Sequence, residues 1–355
     1  MILKNIGYTY NDLTVIPAIT SSIKSRKEVN PFHNGKLPLF TAPMSAVINE
    51  ENWTNYENNN INPIIPRTID IEKRIELLKA RKWVAFSLEE AKNHFIGPIP
   101  NYKNIGKFKI CIDIANGHMK DLIEACKTIK FYYPDCEIMT GNIANPETIE
   151  EYKKANIDFV RVGIGGGAGC LTAPNTATYY PMASLIDECL KIRGRNCKPY
   201  IIADGGIRNY GDIIKALALG ADYVMVGSVF ASLFESAANV KNYGFNLIPW
   251  DKNLTEKEKI QIIKNHEKHN NPIQREFYGM STKQAQKEMG SIACKTSEGC
   301  YKTLVTTHTM QQWSENFESY LRSAMSYTNK KSLKDFIGNV DLIINSSSTQ
   351  SSVNK

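Results

Sequence analysis

The residues best suited to chemistry sit in three glycine-marked segments. The first is Gly163-Ile-Gly-Gly-Gly-Ala-Gly-Cys170-Leu-Thr172, with five glycines in seven positions ahead of the cysteine. Such a run lets the backbone approach a ligand where side chains would block it, and it leaves the thiol open to whatever binds there. A thiolate stabilised by local dipoles is a strong nucleophile, so covalent catalysis at Cys170 is the chemistry this segment could support. The other two segments are Asp204-Gly205-Gly206 and Gly227-Ser228. A carboxylate beside two glycines suits a ribose diol, and a Gly-Ser pair adds amide and hydroxyl donors for a phosphate. Each also has a plain structural reading: a flexible turn with an incidental cysteine, or a helix-capping aspartate followed by a tight turn.

All three segments close short apolar runs, and eight such runs recur along the chain: 38–44, 61–66, 83–87, 108–114, 137–143, 159–165, 200–206 and 223–229. Runs of this length with no alternation read as buried parallel strands. The stretches 119–130, 146–154, 182–193 and 211–219 space their apolar residues as helices do. Alternating strand and helix, eight times over, predicts an α/β chain folded as a (β/α)8 TIM barrel, in which chemistry collects at the C-terminal strand ends. The expected organisation is a single domain: an N-terminal arm (1–36), the barrel core (37–231), an insertion (232–276) with a charged helix over 255–269, a substrate flap and C-terminal barrel helix (277–340), the latter around 313–325, and a polar tail (341–355) whose low complexity from Ser346 onward predicts disorder.

At 355 residues and 42% hydrophobic content the chain can bury a large core. Its formal charge of +7 is dispersed among acidic residues, which favours phosphate-bearing small molecules over a nucleic-acid footprint. No window approaches a membrane span and the first residues lack signal-peptide anatomy, so a cytoplasmic location is expected. Eight cysteines without paired C-x-x-C spacing read as reduced thiols, with Cys111 in the core.

Taken in order, Tyr10-Asn-Asp-Leu, Lys24-Ser-Arg26, Ala42-Pro-Met44, Asp113-Ile-Ala-Asn-Gly117, Gly163 to Thr172, Ala203-Asp-Gly-Gly-Ile207, Val226-Gly-Ser228, Phe277-Tyr-Gly-Met-Ser281 and Ser297-Glu-Gly299 resemble the IMP dehydrogenase and GMP reductase family over nearly the whole chain. Within it, Asp113 to Gly117, the short spacing from Tyr278-Gly-Met-Ser281 to Ser297-Glu-Gly299, and the lack of an Arg-Tyr pair between Ser281 and Glu298 are similar to the reductase branch. The resemblance implies NADPH-dependent reductive deamination of GMP to IMP and ammonia. Cys170 would attack the purine, with Thr172 and Glu298 as proton relay. Asp204 would hold the ribose; Gly206, Gly227, Ser228 and Tyr278 would surround the phosphate; Met280, Ser281 and Glu298 would meet the base; Gly205, Gly279, Ser297 and Gly299 also match substrate-binding positions. Asp113, Ile114 and Ala115 match the nicotinamide side of the cofactor site, while Ser25, Arg26, Leu321, Arg322 and Ser323 match groups lent by a neighbouring subunit, which implies a homotetramer. On residue type alone, Arg26 reads equally as a solvated charge and Arg322 as a helix-closing one. Backbone carbonyls of Gly165, Gly167 and Cys170 match a potassium site.

The chain departs from the family pattern at Ala168, where a phosphate-contacting serine is usual, at Leu171 and Ala173 around the relay threonine, at Ser228, which is dehydrogenase-like, and in the long 232–276 insertion. Two other readings stand beside the reductase: an IMP dehydrogenase making XMP with NAD, and a purine-nucleotide-binding paralogue without turnover.

Overall fold

The computed structural model describes residues 6–97, 102, 106–241, 254–289, 296–346 and 349–350. Twelve strands are formed within them: β1 (Leu13–Val15), β2 (Leu39–Thr41), β3 (Ile64–Ile65), β4 (Trp83–Phe86), β5 (Lys109–Asp113), β6 (Glu137–Ile143), β7 (Phe159–Val162), β8 (Tyr200–Asp204), β9 (Tyr223–Val226), β10 (Gln274–Tyr278), β11 (Tyr301–Val305) and β12 (Leu342–Ile344). Strands β2 to β9 make one parallel sheet in the order β2-β9-β8-β7-β6-β5-β4-β3. Asn62 closes it into a barrel: its amide donates to Leu39 O at 3.0 Å, its carbonyl accepts from Thr41 N at 3.1 Å, and Thr41 Oγ1 accepts from Ile64 N at 2.8 Å. The (β/α)8 TIM barrel read from the apolar runs is therefore present, each strand inside its predicted run.

The barrel has two apolar layers because every strand is covered on both faces. Inward side chains Phe40, Trp83, Phe159, Met139 and Met225 fill the interior, with Trp83 and Phe159 edge-to-face at 5.1 Å. Outward side chains such as Val84, Ile110, Ile138 and Val224 pack under the surrounding helices. Cys111 is fully buried, as its strand position requires, and the seven described cysteines are all free. Cys294 lies outside the described residues.

The helices Lys120–Tyr132, Thr148–Lys154, Met182–Arg193 and Tyr210–Leu219 fall where the spacing placed them. The helix of the insertion is Glu256–Lys268, capped by Thr255 and Glu258. It is tied to the barrel: buried Glu235 accepts from Lys259 Nζ at 2.8 Å and from Met310 N at 2.7 Å, the first amide of the long helix Met310–Tyr327. Residues 242–253 of the insertion lie outside the described residues.

One expectation needs correction. The segment 341–355 does not begin as a polar tail, because the apolar triplet Leu342-Ile-Ile344 pairs antiparallel with Leu13–Val15 of the arm. Among the described residues no helix is long and apolar enough to cross a membrane.

Candidate active site

At the C-terminal ends of the barrel strands lies a cavity of about 350 Å³. Its wall is built by the ends of β5 (Asp113, Ile114, Ala115), β7 (Gly163 to Gly165 and Gly167 to Cys170), β8 (Asp204 to Ile207) and β9 (Gly227, Ser228), and its cover by Phe277, Gly279, Met280, Ser281 and Glu298. The cover is the antiparallel hairpin of β10 and β11, whose intervening segment returns to pair with the glycine loop: Cys300 N donates to Gly169 O at 3.0 Å and Leu171 N to Glu298 O at 2.6 Å. Only glycine permits this approach. A Cβ on Gly279 would stand 2.4 Å from Gly169 O, and one on Gly169 would stand 2.9 Å from Gly279 N.

That docking assembles three side chains. The Cys170 thiol donates to Thr172 Oγ1 at 3.2 Å, and Thr172 Oγ1 donates to Glu298 Oε2 at 2.5 Å. Thiol, hydroxyl and carboxylate thus form one line along which a proton can pass, and Cys170 is partly exposed at its end. The carboxylate that completes the line comes from the flap, 126 positions away from Thr172.

Beneath the loop runs a buried charge network that the sequence reading missed. Arg161, in the middle of β7 and 7% exposed, donates from Nη1 to Asp113 Oδ1 at 2.6 Å and from Nε and Nη2 to Asp204 Oδ2 at 3.1 and 2.9 Å. Asn142 Nδ2 adds a donor to the same Asp204 oxygen at 2.7 Å, and Arg67 Nε lies 3.4 Å from Asp113 Oδ2. Burial alone would push the Asp113 carboxyl up, but the Arg161 and Arg67 guanidiniums hold it below the usual carboxylate range. The two flanking carboxylates outweigh burial for Arg161 and raise it well above its ordinary value. With Oδ2 of Asp204 triply occupied and, among the described residues, Oδ1 receiving no hydrogen bond, one oxygen is left to face the cavity. The available signal was the pattern break in Phe159-Val-Arg-Val162, a guanidinium inside an otherwise apolar strand.

Other predicted residues fall into three groups. Gly205 (φ +116°) and Gly206 (φ +75°) line the cavity in conformations that favour glycine, yet the Gly206 amide is already bonded to Gly166 O at 2.8 Å and is not free for a phosphate. Gly227 and Ser228 open onto the cavity, as do Gly165 and Gly167, and Gly167 O accepts the Cys170 amide at 3.0 Å.

Tyr278, Ser297 and Gly299 stand behind the wall instead of in it. The Tyr278 hydroxyl donates to Glu288 Oε1 at 2.9 Å and lies 3.3 Å from Ser45 Oγ; burial and the Glu288 carboxylate push the phenol up to about 12. Ser297 Oγ donates to Gly299 O at 3.0 Å, and Gly299 packs on Ser281 and Thr282.

Ser25, Arg26, Arg322 and Ser323 are brought together elsewhere, near a separate surface cavity of about 430 Å³ that shares no lining residue with the first. There Arg26 Nη1 donates to Ser319 Oγ at 3.0 Å and Ser323 Oγ at 3.4 Å, while Arg322 donates to Glu318 at 2.8 Å and to Val29 O. Ser25 spends its hydroxyl capping the short helix Arg26–Glu28. Leu321 is fully buried against the barrel, so its side chain cannot serve a ligand on that surface.

A family model described as "IMP dehydrogenase / GMP reductase domain" matches residues 102–354. Among curated proteins, a GMP reductase of Caenorhabditis elegans is 32% identical over 228 residues, covering 64% of this chain and 56% of that protein. A GMP reductase of Staphylococcus aureus strain Newman is 33% identical over 240 residues, covering 64% of this chain and 72% of the relative. An inosine-5'-monophosphate dehydrogenase of Nitrosopumilus maritimus is 40% identical over 149 residues, 42% of this chain and 31% of the relative. The matched segment thus spans little more than half of the worm protein and under a third of the archaeal one.

Proposed function

The chain belongs to the IMP dehydrogenase / GMP reductase family, and from that premise we propose that it is an oxidoreductase catalysing NADPH-dependent reductive deamination of GMP to IMP and ammonia. The observation that carries this reading is the hydrogen-bonded line Cys170–Thr172–Glu298 in the wall of the strand-end cavity. A protein that merely bound the nucleotide would have no use for it.

The free oxygen of Asp204 takes the ribose diol, and Gly227 and Ser228 receive the phosphate; Met280 and Ser281 flank the purine. Cys170, as thiolate, adds to purine C2 to form a carbon–sulfur bond. Glu298 passes a proton through Thr172 to the 2-amino nitrogen, which departs as ammonia. NADPH, when bound, supplies the hydride that reaches C2. The carbon–sulfur electron pair then returns to Cys170 and IMP leaves; one proton is taken up with the hydride, and a second converts the released ammonia to ammonium, so the reaction balances.

Two features fit the cofactor. Ile114 and Ala115 give the cavity an apolar wall at the end of β5, and Asn142 Oδ1 is buried there without a partner, an acceptor for a ligand donor. Ser25, Arg26, Arg322 and Ser323 would reach the cofactor of a neighbouring subunit, since they do not line their own subunit's cavity; this supports the homotetramer. The carbonyls of Gly165, Gly167 and Cys170 would contribute three oxygens to potassium, ordering the loop. Free cysteines suit a reducing compartment, and the cytoplasm is the proposed location.

Ser228 and the archaeal relative favour a second reading, IMP dehydrogenase. Product analysis separates the two. The reductase yields IMP and ammonia from GMP with NADPH; XMP from IMP with NAD, and no turnover of GMP, would replace it with the dehydrogenase.

A further inference from the structure

A cavity of about 630 Å³ lies at the end of the barrel opposite Cys170. The first residues of six consecutive strands mark it: Trp83, Lys109, Glu137, Phe159, Tyr200 and Tyr223. Its floor is aromatic, with Phe159 within 5.3 Å of Tyr200 and 5.8 Å of Tyr223 between ring centres. Its sides carry eight lysines and arginines against three carboxylates.

This end of a barrel ordinarily serves stability, and part of the charge here does. Lys82 holds Glu57 at 2.8 Å, and Arg193 holds Asp222 at 2.7 Å. Lys109, Lys198 and Lys36 also stand 3.6, 2.6 and 3.9 Å from Glu137, Asp158 and Glu57. Among the described residues, however, Arg81, Arg195 and Lys334 have no carboxylate partner, and all three are exposed around the opening. Further in, Nε of the buried Arg193 and Nε2 of His33 are buried without a hydrogen-bond partner. Like charges also crowd one another. Burial lowers Lys36 from its ordinary value; Glu57 offsets this in part, while Lys82 and Lys109 lower it further. Uncompensated positive charge in a concave, partly desolvated site costs stability unless an anion neutralises it, and such a site concentrates anions from solution. Arginine and lysine together are the usual receptors for phosphoryl oxygens, and the volume falls within the range of small-ligand pockets, roughly 300–1,000 Å³.

We infer that the N-terminal end of the barrel is a second binding site, for a small anion carrying several phosphoryl groups, held by Arg81, Arg195, Lys334 and the inner cations above the aromatic floor. The inference does not depend on the reaction proposed for Cys170. Either an inorganic polyphosphate or a nucleoside polyphosphate, its base on the tyrosines, has this chemistry.

Isothermal titration of the full chain with tripolyphosphate, and separately with GTP, tests it. Wild type should bind tripolyphosphate, more weakly as salt rises. The double reversal R81E/K334E should weaken binding about tenfold or more with an unchanged melting temperature, whereas S228D, at the opposite end, should leave it intact. R195E gives an independent reading should the double variant fail to fold. GTP binding tighter than tripolyphosphate identifies a nucleotide site, and equal affinity an inorganic one. Absence of binding, indifference to both basic-rim variants, or loss in S228D would overturn the site.

Discussion

Cys170 and Thr172 belong to the barrel and Glu298 to the flap, so the reactive line exists only when the two are docked. Its members are separable by substitution. Glu298→Gln keeps the shape but removes the proton acceptor, and turnover should fall about 10²- to 10⁴-fold with the melting temperature almost unchanged; single-turnover kinetics equal to wild type would remove Glu298 from the relay. Arg161 and Asp113 act beneath that line, and their signature is pH. Because the folded Asp113 carboxyl lies below its ordinary value of about 3.9, the stability it contributes is complete above that pH and is lost as pH falls through the folded value. Melting curves should therefore show the wild type losing stability below about pH 4, with Asp113→Asn less stable at neutral pH but flatter in the acid window. Parallel curves for the two proteins would mean that the Arg161 pair contributes nothing to the fold.

At the scale of elements, what could be read from the sequence depended on burial pattern. The eight barrel strands announced themselves because they are covered on both faces and carry unbroken apolar runs. Helix Trp53–Asn58 did not, since only Tyr56 of its six residues is buried, nor did Ile71–Lys79, where one of three buried residues is Arg74. Strand β11 is almost wholly exposed, so no alternation could reveal it, and the pairing of β1 with β12 joins three-residue pieces from the two ends of the chain. The candidate site followed the same rule. Local glycine-rich signatures were legible, but the partners that orient them, Arg161, Asn142 and Arg67, come from strands and loops whose meeting only the barrel defines. Flap docking on the glycine loop gives this scale its test. Gly279→Ala places a methyl 2.4 Å from Gly169 O and must push Glu298 from Thr172. A misplacement of about 1 Å costs on the order of 10²-fold in rate, so activity should collapse while the barrel melts as before. Retained activity would show that the docked hairpin is dispensable.

Across the whole molecule, the proposed reaction draws on two separate surfaces. The Cys170 cavity and the Arg26–Arg322 patch share no residues; the proposal that both serve one nucleotide reaction therefore predicts that adjacent subunits complete each other. Complementation reads this directly. Arg26→Ala should raise KM for NADPH, and co-expressing it with Cys170→Ala should bring back sites with the wild-type KM in mixed oligomers, because some sites then combine an intact thiol with a neighbour's intact arginine. No recovery in a mixed oligomer of confirmed composition would confine the arginine to its own subunit.

The most direct test of the central claim is NADPH absorbance at 340 nm with GMP and potassium present, comparing wild type with Cys170→Ala. GMP-dependent oxidation by the wild type, with IMP and ammonia as products and none from the variant, is the predicted result. Undiminished oxidation by Cys170→Ala would contradict covalent catalysis at this cysteine, and no oxidation by wild type would contradict the reductase itself.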